Sequence, residues 1–314
     1  MTMNEQAQRL ADELEREAKR YRVAVHRVAG ARVIDCGGAV EGGLAAGLVL
    51  ARTCLADLAQ VNLVATTVPG IGGLAVQVVT DDPVRACLAS QYAGWRIQVG
   101  HFFAMASGPI RALAAREELF QHIPGRENAP VAVGVLETSQ NPTDEVIAAI
   151  VAKLPADTEH LTLLVAPTTS MAGTLQVVAR SVETALHKLY ELKYDVTQVV
   201  SGWGVAPLPP VAREPIGAIG RTNDAILYGA EVILWVHSDD EELLRLGPKV
   251  PACASPDYGT PFADIFSRYN GDFYRIDPML FAPAVVEFRN LRSGRCHRFG
   301  QVLPDVLQRS FGRD

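Results

Sequence analysis

Arg180 and Glu183 stand three residues apart in PTTSMAGTLQVVARSVETALHKLYELK (residues 167–193), a spacing that puts a guanidinium and a carboxylate on one helical face. No other charged residue occurs between Ala172 and Ala185. A carboxylate in such apolar company can take a proton from water and give it back. The guanidinium would favour its ionised form, and burial would oppose that. The alternative for this spacing is an ordinary ion pair on a helix surface.

The stretch predicts one long helix, because Leu175, Val178, Val182, Leu186, Leu189 and Tyr190 recur at steps of three and four. Thr168, Thr169 and Ser170 suit its N-cap and leave backbone N–H groups for an anion. His187, four residues after Glu183, can join that face or be an ordinary hydrogen-bonded helix histidine.

Three more polar clusters stand out. GRTNDA places Arg221, Thr222, Asn223 and Asp224 together at the start of a helix, more polar groups than a cap requires. SRYNGDFY gathers Arg268, Asn270 and Asp272 at a tight turn, with an Asx-turn as the plain alternative. SQYAGW (residues 90–95) offers Gln91, Tyr92 and Trp95, amphipathic groups suited to a flat heterocycle or to packing. Gly70–Ala75 matches a dinucleotide-type glycine spacing, but Val76-Gln77-Val78-Val79 reads as strand. No helix N-terminus then follows to hold a pyrophosphate, so a glycine-rich hairpin is expected.

The elements that must carry these residues alternate irregularly. A charged amphipathic helix over 4–21 precedes strands 23–28 and 31–36, a helix over 42–58, strands 61–68 and 74–80, and a short helix over 83–92. The turn at residues 107–109 launches a helix through Phe120. Strand 131–137, a helix over 142–154 capped by Asn141, and strand 161–165 follow. Residues 201–215, rich in Gly and Pro, read as an irregular loop. Beyond them come strand 231–237, an acidic turn at 239–242, a short helix and a strand within 261–277, a last strand over 284–291 and a polar tail. Because strands pair without helices between them, the fold class is mixed α/β with mixed sheets, not a regular Rossmann fold.

The 314 residues allow one large or two medium domains. We place a first α/β part at 1–160 and a second at 161–314, with the possibility that the two intertwine. With 48% hydrophobic and 20% charged residues the chain is globular. A net charge of -6 and a pI near 5.7 offer no general attraction to nucleic acid or to an anionic membrane. The charged N-terminal segment does not resemble a signal peptide. The uncharged run from Leu58 to Thr80 is broken by polar residues, proline and glycine, and reads as two buried strands rather than a membrane span. Five scattered cysteines, with no histidine at metal-ligand spacing, fit reduced thiols in a cytoplasmic protein and give no metal site.

Taken together, SQYAGW, FFAMASGP, APTTSMAGTLQVVARSVETALHK, GWGVAPLPP, GRTNDAILYG and PFADIFSRYNGDFYRID resemble, in order and spacing, the methenyltetrahydromethanopterin cyclohydrolase family over nearly the whole chain. The tryptophan of GWG and the polar tail depart from the family's pattern. The resemblance implies that Arg180 and Glu183 are the catalytic pair, and that Gln91, Tyr92, Arg221, Asn223, Asp224 and Asp272 bind substrate. It implies a homotrimer of subunits with two α/β parts around a central pterin cleft, a tetrahydromethanopterin derivative as substrate, and no metal or prosthetic group. The setting it implies is one-carbon metabolism, formaldehyde oxidation included. The alternative of another class is a non-catalytic pterin-binding paralogue, against which the retention of both Arg180 and Glu183 argues.

Overall fold

Two six-stranded sheets organise the chain, each of mixed strand direction. The computed structural model describes residues 1–272 and 275–312. In chain order, helices α1 (Met3–Arg16) and α2 (Ala18–Tyr21) precede the hairpin β1 (Ala24–Val28) and β2 (Ala31–Asp35), and then helix α3 (Leu44–Cys54). A second hairpin, β3 (Gln60–Ala65) and β4 (Leu74–Thr80), leads to a π-helix at Val84–Gln91, then to β5 (Trp95–Val99), β6 (Phe102–Ser107) and α4 (Ile110–Ala114). Strand β7 (Val131–Glu137), helix α5 (Asp144–Val151), strand β8 (His160–Val165) and helix α6 (Met171–Val178) follow. The remainder runs α7 (Ser181–Glu191), β9 (Val199–Pro207), α8 (Pro215–Leu227), β10 (Glu231–Val236), α9 (Asp240–Leu246) and α10 (Phe262–Arg268). It ends with β11 (Val285–Asn290), β12 (Cys296–Gly300) and α11 (Pro304–Phe311).

The chain divides into two units, Met1–Ala59 with Val84–Gln176, and Gln60–Pro83 with Val177–Asp314. Each is built from two separate stretches, where the sequence reading placed one cut after residue 160.

The first unit holds the sheet ordered β1-β2-β8-β7-β6-β5. Its parallel centre is β2-β8-β7, where β7 runs apolar from Val131 to Leu136 while β2 and β8 bury Arg32, Asp35 and Thr162 among their apolar residues. Ile34, Val133 and Leu164 point into a core with Leu10, Leu14 and Leu50 of α1 and α3. Val33, Ala132 and Leu163 point the other way, toward Ile110 of α4 and Val146 and Ile147 of α5.

In the second unit the order is β12-β11-β10-β9-β4-β3. Here β9 lies between β4 and β10, antiparallel to both, so GWGVAP is a central strand and not the irregular loop expected. The composition misled because Gly202 and Gly204 serve packing, not a turn. A Cβ on Gly204 would lie 2.5 Å from Ser181 Oγ, and one on Gly202 would lie 2.7 Å from Val182 Cγ1. The two glycines let the first turn of α7 sit directly on the sheet.

Several boundaries also move. The N-terminal helix breaks at Glu17 into α1 and α2. The helix after residue 109 ends at Ala114, because Ala115 turns to φ 43. Thr143, not Asn141, is the N-cap residue of α5. The acidic run at 239–242 opens helix α9, where carboxylates suit the positive end of the helix dipole. The expected polar tail pairs β12 with β11 and then forms α11, which buries Val306, Leu307 and Phe311. The strand expected after Asn270-Gly271 runs into Phe273 and Tyr274, which lie outside the described residues. Among the described residues no helix is long and apolar enough to cross a membrane, and Leu58 to Thr80 contains the β3-β4 hairpin with its glycine-rich turn.

Candidate active site

The hydroxyls of residues 168–170 start α6. Ser170 Oγ accepts from Gly173 N–H at 3.0 Å and donates to the Pro167 carbonyl at 2.8 Å, while Thr168 Oγ1 donates to Glu137 Oε1 at 2.8 Å. The cap expected from the sequence therefore falls on Ser170.

The helix that begins there is not continuous. It stops at Val178 and restarts at Ser181, so Arg180 becomes the N-cap residue of α7 with φ -91 and ψ 11, and Glu183 lies in the first turn. N-cap and third helical residue both belong to the turn that opens a helix, so the break leaves the two residues together at the start of α7. It also adds something a helix interior lacks. Arg180 offers no acceptor to the N–H groups of the first turn, and their partial positive charge favours a carboxylate there. Both side chains are buried, Arg180 at 7% exposure and Glu183 at 4%, so this is no pair on a solvated surface. Ser181 between them is fully buried against Gly204, and its Oγ has no hydrogen-bond partner among the described residues.

Two more residues of α7 bear on the site. His187 Nε2 lies 3.8 Å from Glu191 Oε1, one turn on. Lys188 is buried and donates to the Met279 carbonyl; burial pushes its ammonium down to about 8, with Asp277 opposing the fall. The sequence reading missed Lys188. Its place between Leu186 and Leu189 on an apolar face was the available signal.

GRTNDA occupies the second half of α8, not a helix start. Arg221 donates from Nε to the Ser310 carbonyl at 3.1 Å and from Nη1 to the Pro210 carbonyl at 3.2 Å, and Asn223 Nδ2 donates back to the Ile219 carbonyl at 2.9 Å. Asp224 is fully buried, and its Oδ1 accepts from Phe262 N–H at 2.8 Å, holding the first residue of α10. Burial raises its carboxyl to about 7; the nearby Ser310 hydroxyl and the Phe262 N–H oppose the rise, yet Oδ2 has no hydrogen-bond partner among the described residues. Asp272 is exposed just past α10, its N–H donating to the Tyr269 carbonyl at 3.2 Å. These residues share the second unit with Arg180 and Glu183, whereas Gln91 and Tyr92 belong to the first.

Gln91 is fully buried at the end of the π-helix, and Tyr92 N–H donates to the Cys87 carbonyl, five residues back, at 2.8 Å. The guanidinium of Arg111 lies over the Tyr92 ring at 5.0 Å from its centroid. Sequence reasoning passed over Arg111. Only its charge amid the apolar residues of α4 could have flagged it.

A buried carboxylate and guanidinium at the start of a helix packed on a mixed sheet are the equipment of an acid–base enzyme. A family model described as Cyclohydrolase (MCH) matches residues 2–311, and the chain belongs to that family. It is 52% identical over 290 residues to the methenyltetrahydromethanopterin cyclohydrolase of Rhodopirellula baltica, covering 91% of this chain and 87% of that one. Proteins of the same name from Methylobacillus flagellatus and Methanosarcina barkeri are 41% and 43% identical over 312 and 286 residues. Those matches span 99% and 90% of this chain, and 95% and 89% of theirs.

Proposed function

We propose that this chain is a methenyltetrahydromethanopterin cyclohydrolase, reversibly hydrolysing its substrate to 5-formyltetrahydromethanopterin in pterin-linked one-carbon metabolism. What carries the reading is the burial of Arg180 and Glu183 together at the start of α7 in a member of this family.

The substrate is a cyclic amidinium whose methenyl carbon bridges two nitrogens. Its positive charge already makes that carbon electrophilic, so the protein's task is proton handling. Glu183 takes a proton from water as the oxygen bonds to the methenyl carbon. It then returns that proton to the leaving nitrogen as the C–N bond breaks, the hydroxyl proton is lost to solvent, and a formyl group remains on the other nitrogen. One water is consumed and one proton released. Arg180 orients the carboxylate and favours its ionised form. Gln91, Tyr92, Arg221, Asn223, Asp224 and Asp272 are the proposed contacts to the pterin.

Purified protein given the methenyl pterin should bleach its absorbance, with or without exhaustive chelation, because the cationic carbon needs no Lewis acid. A shifted but unbleached chromophore would mark a non-catalytic binder. Loss of bleaching on chelation, restored by a divalent ion, would contradict the metal-free mechanism.

The working assembly is a homotrimer in the cytoplasm, where the scattered thiols stay reduced and the chain serves one-carbon flux such as formaldehyde oxidation. Association would cover exposed apolar side chains such as Leu74, Phe103, Val200, Ile216 and Leu244. Light scattering should give three subunits. A monomer at every concentration would contradict it.

A further inference from the structure

The π-helix at Val84–Gln91 ends at Gln91 and is followed directly by Tyr92, the two residues assigned to the pterin from SQYAGW, and a π register is rare enough to need a cause. Arg111 supplies one. In an ordinary α register Tyr92 N–H would donate to the carbonyl four residues back, that of Leu88. That carbonyl accepts instead from Arg111 Nη1 at 2.9 Å, while Tyr92 N–H reaches Cys87. The same Nη1 also donates to the Ser90 carbonyl at 3.2 Å, which takes Gly108 N–H at 2.8 Å as well.

Arg111 is itself fixed from its other edge. It is 1% exposed, and its Nε and Nη2 donate to the two oxygens of Glu117, Nε at 2.9 Å. Its guanidinium carbon lies 5.0 Å from the centroid of the Tyr92 ring and 5.6 Å from that of Phe120. Gly94 makes room for this arrangement, since a Cβ there would lie 2.3 Å from Glu117 Oε2 and 2.7 Å from the Tyr92 ring. The glycine of SQYAGW, the arginine of α4 and the turn at Ala115 that returns the chain to Glu117 thus belong to one device. Slipping to the α register would shift the segment by one residue and rotate Gln91 and Tyr92 by roughly 100°.

We propose that Arg111 and Glu117 are a positioning pair that locks the π register, and so sets affinity for the pterin through Gln91 and Tyr92 without touching the substrate. The proposal rests on the cyclohydrolase reading. Its signature is a change in KM with little change in kcat, because the bond-making residues lie elsewhere in the sequence.

The test measures KM and kcat by methenyl bleaching for Glu117→Gln, Arg111→Lys and Arg111→Ala. Glu117→Gln keeps shape and loses the charge, and should raise KM by about 3- to 10-fold with kcat within about twofold. Arg111→Lys loses the planar fork and should raise it by about 10-fold; Arg111→Ala should raise it further. If Arg111→Ala does not fold, the other two decide. In a Tyr92→Ala background Glu117→Gln should raise KM by a clearly smaller factor than in wild type, because one of the two groups it positions is gone. Unchanged KM in both Glu117→Gln and Arg111→Lys, or lower kcat and melting temperature with KM untouched, would overturn the proposal. Wild type that binds without bleaching would instead overturn the enzymatic reading, and the same series would then be compared by the dissociation constant from the chromophore shift.

Discussion

In a Glu183→Gln variant, turnover of the methenyl pterin is expected to fall by roughly 10²–10⁴-fold while KM changes by less than about tenfold. Glutamine keeps the shape and hydrogen bonding of the side chain but cannot accept the proton of the attacking water. Arg180 acts through Glu183, and its removal should read differently. Arg180→Ala leaves a buried carboxylate without its orienting guanidinium, so kcat should drop by roughly 10–10³-fold. Arg180→Lys keeps the charge without the planar fork and should fall between wild type and alanine. Steady-state kinetics on the three variants checks the order. An Arg180→Ala variant as active as wild type would leave the arginine a helix-capping residue only.

Asp224→Asn should reverse sign with pH in its effect on stability. The folded carboxyl titrates at about 7 against 3.8 for its ordinary value, because burial disfavours the charge. Between those two pH values the unfolded chain has lost a proton that the folded chain still holds, so folding stability falls as pH rises and levels off above about pH 7. At about 1.36 kcal/mol per pH unit the loss amounts to roughly 4 kcal/mol. Asparagine keeps an acceptor for Phe262 N–H and does not ionise. Thermal melts should therefore place the variant at or below wild type near pH 4.5 and above it by roughly 5–10 °C near pH 8. Parallel curves across that range would mean that Asp224 is ionised in the folded protein.

The burial of the candidate pair was legible because its chemistry and its spacing coincide. An acid and a base three apart, with apolar neighbours, announced a buried pair, and both Arg180 and Glu183 are buried. The break before Ser181 was not legible. Nothing in VVARSVE is a helix breaker, and the interruption falls just before the turn of α7 that packs on Gly202 and Gly204 of β9. Conversely, those glycines looked like loop residues because sequence composition cannot tell a turn from a close approach. GRTNDA was read as a helix start because its polar groups suit one; in the fold they tie α8 to α10, α11 and the preceding loop, partners 11 to 89 residues away along the chain. The π-helix was equally invisible, since its register depends on Arg111, a residue that shares no motif with it. Hairpins and the apolar strand β7 were legible because turn glycines and long apolar runs are local signals.

The claim that Glu183 handles the attacking water is tested most directly by single-turnover bleaching of the methenyl chromophore, with wild type and Glu183→Gln in excess over substrate at saturating concentration. Binding and product release then drop out of the comparison. The variant's bleaching rate should lie roughly 10²–10⁴-fold below wild type, with the bound chromophore formed in both. Near-equal rates would contradict the assignment and leave the first turn of α7 as scaffold.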